Sequence, residues 1–174
     1  LHDALPISDC IVSTGVAGGI DACLKVTDVV ASQRLVYHDV WCGDGNEYGQ
    51  VQGFPASYEG CSSLLKHALS LNEAGMESRI HSGLVCTGDQ FITNRTELDT
   101  IKQRFPDGLA VDMESAAIAQ TCYLYNVPFL SFRIISDTPG VEDHASQYAD
   151  FWGTMAERSF LTIWTFLSTL PSNL

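Results

Sequence analysis

The sequence predicts an α/β fold in which a central mixed sheet is flanked by helices. Three observations carry that expectation. "LAVDM", "ESAAIAQTCYLY" and "PFLSFRIISD" read as strand, helix and strand within residues 109–137. A second apolar strand, "DCIVSTGVAGGI" (9–20), ends in a cluster of glycines. Polar chemistry also gathers at strand ends, where ligands bind in open α/β sheets.

Along the chain, residues 9–20 read as a strand leading into a glycine-rich turn, and "TDVVAS" (27–32) as a second strand. Residues 37–58 are rich in Gly, Asn and Asp and read as a long excursion, a kind of segment that is often functional. "CSSLLKHALSL" (61–71) reads as a helix, and "SRIHSGLVCTGD" (78–89) alternates like a strand until Gly88. "TELDTIKQRF" (96–105) is a helix with Thr96 as candidate N-cap and Asp99 three residues on, and Pro106 stops it. Asn126 and Pro128 close the helix of the strand–helix–strand unit, which reads as a right-handed crossover in a parallel or mixed sheet. After the polar loop "VEDHASQ", one long helix is expected to pack Tyr148, Trp152, Met155, Ile163, Phe166 and Leu170 on the sheet.

Bulk properties exclude several classes. At 174 residues and 45% hydrophobic content the chain suits one globular domain. The net charge of −12 argues against nucleic acid as a partner, since no basic stripe exists to neutralise phosphates. No apolar run reaches the ~18 residues of a membrane helix, no signal peptide opens the chain, and a cytoplasmic location is expected. Six cysteines lack zinc-site spacing, and Cys10, Cys86 and Cys122 sit in apolar segments that suggest core packing.

Seven motifs in order, "TGVAGG" (14–19), "YHD" (37–39), "EYGQ" (47–50), "TGDQFI" (87–92), "AVDMESAAIAQ" (110–120), "VPFLSFRIISD" (127–137) and "ADFW" (149–152), together resemble the 5′-methylthioadenosine/S-adenosylhomocysteine nucleosidases of the purine nucleoside phosphorylase superfamily. The resemblance implies a three-layer phosphorylase-like fold, lacking its first strands here, and hydrolysis of the bond between adenine and ribose. No cofactor and no metal is implied. The implied partners are a small adenine nucleoside and, at full length, a second copy of the chain.

By the same resemblance, Asp137 protonates the leaving purine and Ser136 orients that side. A general acid must keep its proton near neutral pH, so burial of Asp137 with ligand bound is expected to favour the protonated form. Glu114 accepts the two ribose hydroxyls while Met113 packs on the sugar. Phe91 stacks on the base, the backbone of Ile92 reads its edge, and Tyr148 lies near the thioalkyl end. Val16, Ala17 and Gly18 form a turn beneath base and sugar; Val16 carries no hydroxyl for phosphate, which favours water as nucleophile. Asp112 takes a supporting role, with Arg133 pairing either with it or with Glu114. His38 and the loop through Gln52 and Phe54 correspond to a dimer-interface segment, or His38 is a solvated or hydrogen-bonded loop residue.

The carboxylate that activates water in such enzymes has no counterpart in the sequence. "LHDALPIS" matches nothing in the family and reads as translated sequencing adapter, so residues 1–8 are expected to be non-native, 9–174 a partial domain, and the chain inactive by itself. A purine nucleoside phosphorylase, a futalosine hydrolase and a non-catalytic nucleoside-binding module remain alternatives.

Overall fold

A computed structural model describes residues 7–74 and 78–171. Residues 1–6, part of the 1–8 segment expected to be non-native, lie outside the described residues, as do 75–77, 172–174 and the side chain of Met155. Six strands form one sheet: β1 (Ile11–Gly19), β2 (Val29–Tyr37), β3 (Tyr58–Glu59), β4 (Ile80–Thr87), β5 (Gly108–Asp112) and β6 (Phe129–Asp137), in the order β3-β2-β4-β5-β1-β6. β2, β4 and β5 run parallel to one another, and β1 runs parallel to β6. The two groups meet antiparallel where β1 joins β5 and where β6 returns onto β2. The sheet is therefore mixed and curls back on itself.

This topology corrects the crossover expected for residues 109–137. β5 and β6 are not neighbours, because β1 lies between them, antiparallel to one and parallel to the other. Small residues let β1 enter that slot. A Cβ at Gly19 would lie 2.9 Å from the Ile135 side chain, and one at Gly15 would lie 2.3 Å from Arg133 Nη1. The glycines of "TGVAGG" thus serve close approach rather than a turn: β1 stays extended through Gly19.

The strands alternate their side chains between two faces, as a period of two requires. On β2, Val29 and Ala31 join a cluster with Leu64 and Ala68 of α1 (Ser62–Ser70) and with Ile163 and Phe166 of α5 (Ala156–Ser168). Val30 between them joins Ala119 and Cys122 of α3 (Ser115–Tyr125) on the opposite face. Helices on both faces give three layers. All nine residues of β6 are buried, as expected of a segment apolar enough to be covered on both faces, although Ser131, Arg133, Ser136 and Asp137 are among them. Cys86 and Cys122 are core residues, whereas Cys10 is half-buried.

α2 (Arg95–Arg104) starts one residue earlier than expected, and its cap is Asn94 rather than Thr96: the Asn94 side chain accepts from the Glu97 amide at 3.0 Å. α3 ends at Asn126, whose left-handed backbone (φ 54°) closes the helix. The C-terminal segment is helical without a gap from His144 to Ser168, but it is not α-helical throughout. α4 (His144–Asp150) already begins within the segment read as a polar loop, and a π-helical stretch, Phe151–Met155, separates it from α5. The extra residue per turn changes the facing surface, so Phe151 is fully buried and Trp152 is 47% exposed. Ile163 and Phe166 are buried and Leu170 partly so.

Candidate active site

The carboxyl end of β5 meets those of β1 and β6 at a cavity of about 160 Å³. β1 contributes Val16, Ala17 and Gly18 as strand residues, with a register shift between Ala17 and Gly18 that sets Gly18 opposite Asp137. β5 and the start of α3 contribute Asp112, Met113 and Glu114; β6 contributes Ser136 and Asp137. Phe91 and Ile92 line it from the segment after β4, and Tyr148 from α4. Every residue picked from the sequence for substrate contact thus borders one cavity. Gln90, Val111 and Pro139 border it too, and sequence reasoning missed them. Gln90 and Pro139 adjoin motifs that were read, but only tertiary packing aims them inward.

The two strand-end acids of "VDMES" differ in environment. Asp112 is buried and fully engaged: Oδ1 accepts from Thr87 Oγ1 at 2.6 Å, and Oδ2 lies 2.7 Å from Arg133 Nε and accepts from Ser115 Oγ. Arg133 also donates to Ser13 Oγ at 3.1 Å, through the space that Gly15 leaves open. A buried charge is tolerated only when paired in this way. Glu114 stands at the N-cap position of α3 without capping it, and its side chain is 60% exposed. Its Oε2 is 3.4 Å from Arg133 Nη2, which fixes the carboxylate while leaving lone pairs open to the cavity. Arg133 therefore serves both acids, more tightly Asp112.

Asp137 closes β6 and is buried. Its Oδ1 accepts from Ser136 Oγ at 2.5 Å, and its Oδ2 lies 2.7 Å from His144 Nε2. His144, in the first turn of α4, is also buried. Sequence reading placed it in a polar loop, and nothing in local spacing indicated that the chain folds back there. Phe91 is 55% exposed, packs edge-on against Tyr148 with ring centroids 5.5 Å apart, and lies 5.8 Å from His144. The result is an aromatic wall beside a carboxyl group, with a second carboxylate at the mouth. Such a site can hold a flat heterocycle, hydrogen-bond its edge, and accept from a pair of hydroxyls.

His38 does not border this cavity. It is neither solvated nor hydrogen-bonded through Nε2, which is buried without a partner among the described residues. Burial pushes its imidazole pKa down. The ring packs on Gly88, where a Cβ would come within 2.4 Å. Phe54 packs on Tyr123 of the same chain, with centroids 6.4 Å apart.

Residues 8–168 match the model of the phosphorylase superfamily. A 5′-methylthioadenosine/S-adenosylhomocysteine nucleosidase of Chromohalobacter salexigens is 44% identical over 139 residues, covering 79% of this chain and 59% of the relative. One from Geobacillus sp. is 37% identical over 163 residues, covering 93% and 70%. Among solved structures, the Colwellia psychrerythraea nucleosidase in complex with adenine superposes with a TM-score of 0.87 at 34% identity, covering 98% of this chain and 74% of that one. The Neisseria meningitidis nucleosidase in complex with methylthio-immucillin-A gives 0.86 at 33% identity, covering 94% and 71%. The chain spans between 59% and 70% of the length of these two curated relatives. By sequence match and by fold, the chain belongs to the phosphorylase superfamily and, within it, to the 5′-methylthioadenosine/S-adenosylhomocysteine nucleosidases.

Proposed function

We propose that the cavity binds an adenine nucleoside bearing a 5′-thio substituent, and that the protein hydrolyses its N-glycosidic bond to adenine and a thioribose. The observation that carries this reading is the placement of a buried acid, Asp137, and an open carboxylate, Glu114, on one cavity walled by Phe91 and Tyr148. In the proposed reaction the Asp137 carboxyl gives its proton to N7 of the purine as the electron pair of the C1′–N9 bond passes to the base. Water adds to the oxocarbenium-like sugar and its excess proton leaves to solvent, which balances the proton that Asp137 gave up and takes back in the next cycle. Glu114 accepts from the two ribose hydroxyls, and Met113 packs against the sugar. Asp112, held by Thr87, Ser115 and Arg133, supports the strand end that presents them. Val16 offers no hydroxyl to a phosphate ion, which favours water as nucleophile. Methylthioadenosine and S-adenosylhomocysteine are the proposed substrates, as the names of the relatives suggest. Homodimer assembly and a cytoplasmic location belong to the same proposal; no described helix is long and apolar enough to cross a membrane.

The test is adenine release from methylthioadenosine with orthophosphate absent. Release by the protein, lost by a factor of about 100 or more in Asp137→Asn, is expected. Turnover that requires phosphate, or that survives the substitution, would rule the mechanism out. In the same assay the 174-residue chain alone is expected to release little or no adenine, because the resemblance finds no counterpart in it of the carboxylate that activates water.

A further inference from the structure

We infer that His144 is a positioning residue for Asp137, fixing which carboxyl oxygen carries the acid proton. The inference rests on the adenine-nucleoside reading of the cavity. Both partners are buried and lie 2.7 Å apart, Nε2 to Oδ2, so a proton must occupy the line between them. A protonated carboxyl has one O–H donor and keeps acceptor capacity on its other oxygen. With imidazole in the Nε2–H tautomer, His144 donates to Oδ2, and the acid proton of Asp137 resides on Oδ1, the oxygen beside Ser136. That proton is the one directed at the base. In the transfer the Oδ1–H bond breaks and the N7–H bond forms, while His144 keeps its own proton. The resulting carboxylate is left with two donors already in place, Ser136 Oγ on Oδ1 and His144 Nε2 on Oδ2. A buried carboxylate gains most from such charge-assisted bonds, so the pair favours transfer as well as alignment. The Phe91 ring, 5.8 Å from His144, bridges it to the cavity wall.

The effect should depend on N7. Affinities for adenine and for 7-deazaadenine, in which a C–H replaces N7, are measured on the chain and on two variants. His144→Phe keeps a ring against Phe91 but removes the donor, and His144→Gln keeps a donor. The expected result is an adenine affinity about tenfold weaker in H144F, largely recovered in H144Q, with 7-deazaadenine changed less than about twofold in either. Equal losses for the two bases, or no loss for adenine, would overturn the inference and leave the adenine reading standing. A chain that binds neither base overturns the reading and the inference with it. In the unmutated chain, the His144 Nε2–H resonance should shift on adding adenine and stay in place with 7-deazaadenine; a response to both, or to neither while adenine binds, counts against it.

Discussion

Arg133 sits 2.7 Å from a buried carboxylate and 3.4 Å from an exposed one, and that difference defines what each acid can do. Asp112 spends its lone pairs on Thr87, Ser115 and the guanidinium, whereas Glu114 retains acceptor capacity for a ligand. Removing the guanidinium leaves Asp112 as an uncompensated buried charge. Arg133→Met should therefore destabilise the fold by about 3–5 kcal/mol, read as a fall in urea midpoint with unchanged m-value. A loss below about 1 kcal/mol would mean that Thr87 and Ser115 suffice to hold the carboxylate. The sequence left Arg133 either to pair with one of the two acids or to form an ordinary buried structural pair; in the fold it lies closer to Asp112, and the missing side chain of Gly15 leaves room for the guanidinium.

At the scale of elements, α2 shows how local rules compete. Thr96 and Asn94 are both eligible caps, and the pattern Thr96–Asp99 resembles a capping box. Asn94 wins because its backbone is extended (φ −125°, ψ 157°), the conformation a cap residue adopts, and its side chain meets the amide three residues on. Thr96 lies inside the first turn, where its carbonyl accepts from the Thr100 hydroxyl. Asn94→Ala should cost about 1 kcal/mol of stability, with Thr96→Ala near neutral; thermal unfolding of the two variants separates them, and the reverse order would return the cap to Thr96. The π-helical stretch between α4 and α5 is a similar case. A stripe drawn at a period of 3.6 residues puts Trp152 inside, and the wider turn puts Phe151 there instead.

The whole fold buries His38 against Gly88 with no partner for Nε2 among the described residues, which holds the imidazole neutral. Its folded pKa lies below the ordinary 6.5, so the unfolded chain binds the proton first as pH falls. This contribution to stability is complete above pH 6.5 and declines below it, by at most about 1.4 kcal/mol per pH unit, until the folded value is reached. His38→Phe should flatten the fall in stability between pH 7 and 5, measured by urea unfolding at each pH. Parallel profiles for the two proteins would assign that fall to other groups.

The sequence alone determined the elements whose signals are local: β6 from its mostly apolar residues, the end of α3 from Asn126, and an acid-bearing strand end at 112–114. It also identified eleven residues that border one cavity, because family motifs mark strand ends directly. Tertiary structure decided what depends on contacts distant in the chain. It inserted β1 between β5 and β6, since strand order is set by which surfaces fit and not by which segments are adjacent. It separated the engaged Asp112 from the open Glu114, and it brought His144 onto Asp137 across a loop with no pattern of its own. Hydrophobic periodicity records which face of an element is buried; it carries no record of the partner that covers it, and hydrogen bonds between side chains exist only once that partner is in place.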